Sequence, residues 1–174
     1  MCDLTGKPSL FRHTFRDQEK PKKFTFLIRP TSHEFNDFVL LLDKMMSDNI
    51  NKNFFDGEIP FEEEIERGDG KIEVRQIGTI RLLEEWIKKR VKLTDPKPMA
   101  EAIQAFKEVR RLRQSPAHAI EPNKFDQEFF RRQRGVIIRA YTAVRFLRLL
   151  LANHPAVRGY KVEPVLAEGK IRDY

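Results

Sequence analysis

The chain has 174 residues, of which 40% are hydrophobic and 34% are charged, so it is long enough for one globular domain with or without an extension. Its net charge of +7 lies entirely in residues 100–174, which hold 15 Lys and Arg against 8 Asp and Glu, and this excess favours a polyanionic partner such as RNA or a nucleotide. A single cysteine, no apolar run of about 18 residues and no secretory leader argue against a disulfide framework, a cysteine metal cluster and a membrane span. We therefore expect a cytoplasmic protein without membrane contact.

The first 77 residues are predicted to form an extension of the main domain. Within it, the aromatic and β-branched stretch FTFLI at 24–28 is typical of a strand. Thr31 and Glu34 have the spacing of a capping box, in which the threonine accepts from the backbone three residues on and the glutamate reaches back. Apolar residues then recur at helical spacing, so the sequence predicts an amphipathic helix over 33–48.

An acidic stretch follows this helix. Residues 51–70 include DGEIPFEEEIERGDG, which holds seven acids against one Arg and is interrupted by glycines and a proline. This composition is typical of a solvated loop, and the acids lack the spacing of a calcium-binding loop. KIEVR at 71–75 predicts a second short strand.

Residues 78–174 are predicted to hold the main domain, which consists of three helices and a C-terminal tail. The helices are expected over about 78–92, from Pro98 to about 114, and over about 124–153. The last helix should exceed 25 residues and should be unbroken inside 136–150. Helices joined by short loops pack as antiparallel neighbours. The chain is therefore expected to be mainly α, an antiparallel helical bundle with a small β element in its N-terminal extension.

The last helix has apolar residues on two faces. A core-facing arc of about 140° is predicted to consist of Val136, Ile137, Ala140, Ala143, Val144, Leu147, Leu150 and Leu151. Four more apolar residues lie outside this arc: Ile138, Tyr141, Phe146 and Leu149. Such a second face indicates a second partner, which is either the N-terminal part of the chain or another subunit.

The same helix also carries a basic stripe. Arg131, Arg134, Arg145 and Arg148 fall within about 100° of one another on a helical wheel. Such a stripe is typical of a surface that binds phosphate groups. We therefore expect these four side chains to contribute to binding of RNA or another polyanion.

The preceding helix, which ends near residue 114, carries an arginine on its apolar face. That face is predicted to consist of Met99, Ala102, Ile103, Phe106 and Val109. Arg113 lies four residues after Val109 and therefore continues the same face. Because an unpaired buried charge is costly, this guanidinium must have a partner.

A histidine follows this arginine after a short turn sequence, RQSPAH. Pro116 is expected to end the helix and to keep His118 close to Arg113. A histidine that titrates near neutral pH can take a proton from a ribose 2′-hydroxyl or give one to the leaving oxygen. An arginine fork can hold the phosphate and stabilise its developing charge. The pair is a candidate site for metal-independent phosphodiester cleavage, although the same spacing also suits an ordinary helix end followed by a turn.

The order of these features resembles the HEPN family. The motif of that family is an arginine, four to six further residues and a histidine at the end of one bundle helix, often with a polar residue directly after the arginine. Here Arg113 and His118 are separated by four residues, and Gln114 fills the polar position. The resemblance covers roughly 78–153. Arg111 also fits the spacing, but it points to the opposite side of the helix and is followed by a leucine.

The resemblance implies a helical bundle that forms a homodimer and brings two motifs together. It further implies a metal-independent endoribonuclease without a cofactor, in a toxin-like, CRISPR or antiviral defence setting, with Arg113 and His118 as catalytic residues. Gln114 and Ser115 would then orient His118 or a substrate phosphate.

Two alternatives stay open at this point. In the first, the protein is a non-catalytic HEPN-like module that binds RNA, a nucleotide or another protein, and the pair holds the turn and the dimer together. In the second, it is a sensor or adaptor piece of a larger defence protein and uses its neutral N-terminal region to contact other subunits. An inhibitor or a larger defence complex is a further partner to expect. Exposure of His118 in a cleft would favour catalysis, whereas burial would favour a structural role.

Overall fold

The computed structural model describes residues 8–13, 27–114, 122–154, 157, 159 and 164. Within these residues the chain is mainly helical and contains a small β element, as expected from the sequence. This element is a two-stranded antiparallel sheet. The elements in chain order are α1 (Ser32–Met45), a 3₁₀ helix (Lys52–Phe55), β1 (Glu62–Glu66), β2 (Ile72–Gln76), α2 (Thr79–Arg90), α3 (Lys97–Gln114) and α4 (Glu128–Ala152).

Helix α1 begins at its predicted cap. The Thr31 hydroxyl accepts a hydrogen bond from the Glu34 backbone N–H at 3.3 Å. The Glu34 carboxylate reaches further back than a capping box requires, because it accepts from the backbone N–H groups of Ile28 at 3.1 Å and Arg29 at 2.9 Å. These bonds satisfy donors at the start of the helix and fix the chain that enters it. The predicted helix is confirmed, with both ends within three residues of their expected positions.

The prediction of a solvated loop over 51–70 is wrong. This stretch contains the 3₁₀ helix and strand β1, which pairs with β2 in an antiparallel hairpin. The pairing places Glu63 opposite Arg75, and Glu63 also binds Arg81 of α2 at 2.7 Å. The opposite charges of Arg75 and Arg81 beside Glu63 therefore help to offset the low strand propensity of glutamate. The turn contains Gly70, whose φ of +77° favours glycine.

The strand predicted over 24–28 is not found where it can be checked. Residues 24–26 lie outside the described residues, and Leu27 and Ile28 are not part of a strand. Leu27 is buried, and its backbone N–H donates to the Gln133 side chain at 3.3 Å. The backbone N–H of Leu27 thus bonds to a side chain of α4 and not to the backbone of a neighbouring strand.

Helix α4 begins later than predicted and has 25 residues rather than more than 25. The segment before it pairs with the start of α1 instead of joining the helix. Thr31 and Phe125 form an isolated antiparallel bridge, and the Asp126 backbone N–H donates to Pro30 O at 2.8 Å. Because these backbone groups bond outside the helix, it cannot extend back to residue 124. The helix is unbroken over 136–150, as predicted.

One hydrophobic core joins the helices. Helix α3 packs against α1, α2 and α4, and α1 also contacts α4. The largest fully buried apolar side chains are Phe55, Phe106, Ile50, Leu82, Leu83, Ile87 and Val39. Buried residues from both sides of position 77 therefore share one cluster. Whether 1–77 and 78–174 are separable units stays a prediction.

The two faces of α4 differ in burial. The centre of the predicted core arc is buried at Val136, Ala140, Ala143 and Leu147. Val144, which was expected in the core, is 39% exposed because it lies at the edge of the arc. On the other face Ile138 and Leu149 are 42% and 44% exposed, as expected, whereas Tyr141 and Phe146 are half-buried. An apolar surface is therefore left on the outside of this helix.

Candidate functional site

Arg113 lies in the last turn of α3 and joins a quartet of charged side chains at the C-terminal end of α1. Its Nη1 donates to Asp43 Oδ2 and to Asp48 Oδ2, both at 2.7 Å. Arg110, one helical turn earlier, donates from Nη2 to Asp48 Oδ1 at 2.7 Å and has Nε 3.2 Å from Asp43 Oδ1. Each carboxylate therefore lies between the two guanidinium groups. The partner that the sequence required for Arg113 is this pair of aspartates.

The two arginines use different edges of their guanidinium groups. Arg110 turns its Nε and Nη2, the edge that suits bidentate binding, towards Asp43 and Asp48. Arg113 uses Nη1 for both carboxylates. Among the described residues, none accepts a hydrogen bond from Nε or Nη2 of Arg113. This arginine therefore keeps the parallel pair of donors that matches two phosphate oxygens.

The quartet lies at the boundary between the core and the solvent. Asp43 is fully buried, whereas the side chains of Arg113 and Asp48 are 32% and 37% exposed. Hydrogen bonding to Asp43 raises the pKa of Arg113 above its ordinary value, although burial opposes that change. Burial raises the pKa of Asp48, but the hydrogen bonds and charges of Arg110 and Arg113 outweigh burial and lower it overall. Asp48 and Arg113 are therefore both charged at neutral pH.

Two buried side-chain oxygen atoms, one of them in the quartet, lack a hydrogen-bond partner in the described part of the chain. Asp43 Oδ1 and the Ser47 hydroxyl are both buried and make no hydrogen bond among the described residues. The 3.2 Å approach of Arg110 Nε to Asp43 Oδ1 is an ion-pair distance that lacks hydrogen-bond alignment. The carboxylate of Asp43 thus depends chiefly on Arg113 for its direct hydrogen bonding, which makes the two residues interdependent.

The rest of the predicted motif is only partly described. Gln114 is the last residue of α3 and is exposed. Ser115, Pro116 and His118 lie outside the described residues. Arg111, the alternative motif arginine, is exposed on the helix, in agreement with the predicted orientation away from the core.

Both flanks of this stretch are held by the same helix. On one side, Arg113 binds Asp43 and Asp48 at the C-terminal end of α1. On the other side, the Asn123 side chain accepts from the His33 backbone N–H at 3.2 Å, at the N-terminal end of α1. Helix α1 therefore fixes the chain before and after the predicted turn.

The basic stripe of α4 has the geometry predicted from the sequence. Because α4 is continuous, its four arginines (Arg131, Arg134, Arg145 and Arg148) lie on one side of the helix, opposite the buried residues. The first three are exposed and the fourth is half-buried. Arg131 also pairs with Glu128 at 3.2 Å, an exposed contact of small energetic weight.

An open apolar cavity of about 410 Å³ lies between α1 and α4. Its lining residues are Phe11, His13, Leu42, Met45, Met46, Asn49, Ile137, Ala140, Tyr141 and Val144. Arg113 does not line it, so the cavity and the charged quartet are separate features of the surface. Along the described part of the chain, no helix has the length and apolarity needed to cross a bilayer.

Sequence reasoning missed Asp43, Asp48 and Arg110 as members of the site. One signal was available for Asp43, which lies four residues after Val39 and therefore on the buried face of α1. An acid on one apolar face and an arginine on another indicate a buried pair, because neither charge is stable there alone.

Comparison of the whole chain with protein-family models, curated proteins and solved structures gave no match.

Proposed function

We propose that the protein is a metal-independent endoribonuclease of HEPN type, with Arg113 and His118 as its catalytic residues. The observation that carries this proposal is the hydrogen bonding and the exposure of the Arg113 side chain. Its guanidinium is fixed through Nη1, it is partly exposed, and its Nε and Nη2 edge has no acceptor among the described residues. An anchored fork of this kind suits a phosphodiester, because two parallel N–H groups match two phosphate oxygens.

In the proposed reaction the ribose 2′-hydroxyl attacks the adjacent phosphorus, so that an O2′–P bond forms and the P–O5′ bond breaks. His118 takes the 2′-hydroxyl proton or gives a proton to the departing O5′, and water makes the other of these two proton transfers. Arg113 stabilises the negative charge that develops on the non-bridging oxygens. Gln114 and Ser115 are proposed to orient His118 or the phosphate. The products are a 2′,3′-cyclic phosphate and a 5′-hydroxyl end.

The charge balance of the quartet limits what Arg113 can contribute to affinity. Two arginines face two aspartates, so the group is neutral before a phosphate arrives. Long-range attraction of RNA must come from other cations, and the stripe on α4 is the proposed source. In this proposal the stripe binds the RNA backbone, whereas Arg113 acts on one phosphate.

The direct test is cleavage of single-stranded and structured RNA by the purified protein in EDTA. We expect cleavage of RNA but not of DNA with the same sequence, which lacks the attacking 2′-hydroxyl. His118→Ala and Arg113→Ala should each lower the rate by about 10²-fold or more, the usual effect of losing an acid–base or charge-stabilising group. No cleavage of any RNA, or cleavage that survives both substitutions, would contradict the proposal.

A second candidate function is favoured by the same ion pairs. Arg113 ties α3 to α1 through a fully buried aspartate, so the arginine has a structural use that needs no catalysis. In this alternative the protein is a HEPN-like module that binds RNA, a nucleotide or another protein. It predicts that the parent binds RNA without cleaving it, and that the effect of Arg113→Ala is confined to a loss of thermal stability.

The proposed assembly is a homodimer in a defence or toxin-like setting, with an inhibitor or a larger complex as its partner. The exposed apolar residues Ile138 and Leu149 on α4 support a further contact surface. If the active site contains motifs from two subunits, mixing two inactive variants should not restore full activity. Measurement of mass in solution would show whether the chain forms a dimer.

A further inference from the structure

We propose that Asp48 is a positioning residue for Arg113, so that the C-terminal end of α1 is part of the active site. This inference rests on the proposed ribonuclease function. It extends the site into the N-terminal region, outside the part of the chain that resembles the HEPN family. It concerns a residue that has no place in the Arg-x4-His motif.

The hydrogen bonds around Arg113 are arranged to fix its direction. Asp43 Oδ2 and Asp48 Oδ2 both accept from Nη1, at 2.7 Å each. Since the guanidinium is planar, two acceptors at one terminal nitrogen fix where the opposite edge points. That edge consists of Nε and Nη2, the proposed phosphate fork. Without Asp48, one of the two acceptors is lost and the fork can turn.

Asp48 is itself held in place from the other side. Its Oδ1 accepts from Arg110 Nη2 at 2.7 Å, while Oδ2 accepts from Arg113 Nη1 at 2.7 Å. A carboxylate bound through both oxygens cannot rotate without breaking one of these bonds. Arg110 therefore orients Asp48, and Asp48 orients Arg113. Rigid support of this kind matters because a misplacement of about 1 Å can cost about 10²-fold in rate.

The negative charge of Asp48 should weaken the attraction of RNA to the site. The effect of Asp48 on the orientation of Arg113 can therefore be distinguished from its effect on RNA binding. An anion beside the phosphate site repels the substrate in the ground state. Replacement of Asp48 by Asn removes that repulsion and also loosens the fork. We therefore expect Asp48→Asn to lower kcat by about tenfold or more, while KM stays the same or falls. A side chain that only stabilises the fold would not lower kcat while leaving KM the same or lower.

The kinetic experiment compares full-length variants on one RNA below their melting temperatures. Asp37→Asn is the matched control, because Asp37 is exposed on α1, the helix that precedes Asp48, and its substitution changes the net charge equally. It should leave kcat and KM within about twofold of the parent. Asp48→Glu keeps the charge and both acceptor oxygens, so it should retain more of kcat than Asp48→Asn. Equal losses in the two Asp48 variants, or an unchanged kcat in Asp48→Asn, would overturn the positioning role.

A second measurement does not depend on cleavage. The Nε–H signal of Arg113 in a nitrogen-15 spectrum, assigned by its loss in Arg113→Lys, reports how firmly the guanidinium is held. We expect it to broaden and to exchange faster with water in Asp48→Asn but not in Asp37→Asn. An unchanged signal overturns the anchoring. If the parent cleaves no RNA while the signal changes as expected, the proposed function fails and the anchoring stands.

Discussion

Arg113 is expected to be irreplaceable by lysine. A lysine can place a charge near Asp43 and Asp48, but a single ammonium cannot replace both the anchored nitrogen and the fork that faces the phosphate. Arg113→Lys should therefore keep the cleavage rate about 10²-fold or more below the parent. Arg111→Lys is the control, since Arg111 is exposed and makes the alternative motif spacing. If Arg111→Lys is the inactive variant, the motif has been assigned to the wrong arginine.

Loss of Arg113 should also reduce stability, because it leaves the buried Asp43 with less compensation. Removing one partner of a buried polar group costs about 1–3 kcal/mol, and about 2–4 °C in Tm accompanies each 1 kcal/mol in a chain of this size. Thermal melts of Arg113→Ala should show this decrease. His118→Ala should melt close to the parent if His118 acts as a catalytic side chain and not as a packing one. A large decrease in the Tm of His118→Ala would favour the structural alternative.

The quartet also makes stability depend on pH. The folded pKa of Asp48 lies below its ordinary value of 3.8, so ionised Asp48 stabilises the folded state above that value, and this contribution is lost as the pH falls through the folded pKa. We expect the free energy of unfolding to fall less steeply between about pH 5 and pH 2 in Asp48→Asn than in the parent. Urea titrations at several pH values would show this. Asp37→Asn should follow the parent, and an Asp48→Asn variant that does the same would exclude this contribution.

At the scale of single residues, the sequence predicted that Arg113 needed a partner but did not identify one. Helical spacing shows which face of one helix a residue occupies. It does not show which other helix lies opposite, because that depends on packing of residues that are distant in the chain. Asp43 and Arg113 are 70 positions apart. The arginine was therefore predictable as half of a pair and Asp43 as a buried acid, whereas their contact with each other and with Asp48 was not.

Among the secondary-structure elements, α4 carries the expected RNA-binding surface. Gln substitution of its four stripe arginines should weaken binding of RNA broadly across sequences and reduce its dependence on salt. The control replaces four exposed cations outside α4, namely Arg67, Lys71, Lys92 and Lys97, with Gln. It changes the net charge equally. Binding can be measured by fluorescence anisotropy at several salt concentrations. Equal weakening in both variants would mean that overall charge, not this stripe, binds RNA.

The helices were predictable as elements, whereas the hairpin was not. Apolar residues at helical spacing gave α1, α2, α3 and α4, since each helix buries one face. Strand β1 has the sequence EEEIE, which lacks apolar alternation, so its acids indicated a loop. The Asp69-Gly70 pair before KIEVR was the available signal, because such a pair is typical of a hairpin turn. The start of α4 was predicted too early for another reason. Pairing of the preceding residues with the start of α1 overrode the local helical pattern.

Across the whole molecule, the N-terminal region and the helices after it are expected to fold together. Residues 78–174 alone would expose the surfaces of α3 and α4 that α1 covers in the complete chain. We expect this fragment to lose cooperative unfolding. Circular dichroism and urea titration of the fragment and of the full chain would test this. A fragment that unfolds cooperatively with unchanged Tm would show that residues 1–77 are a dispensable extension.

The charge balance of the quartet also restricts how the sequence can change over evolutionary time. A chain that lost Arg113 but kept Asp43 would retain a buried carboxylate without its main donor, and the cost of that state would disfavour the intermediate. We expect relatives that lack the arginine to have replaced the aspartates as well. Substitutions at positions 43, 48, 110 and 113 should therefore occur together, and a family alignment would reveal them as a coupled set.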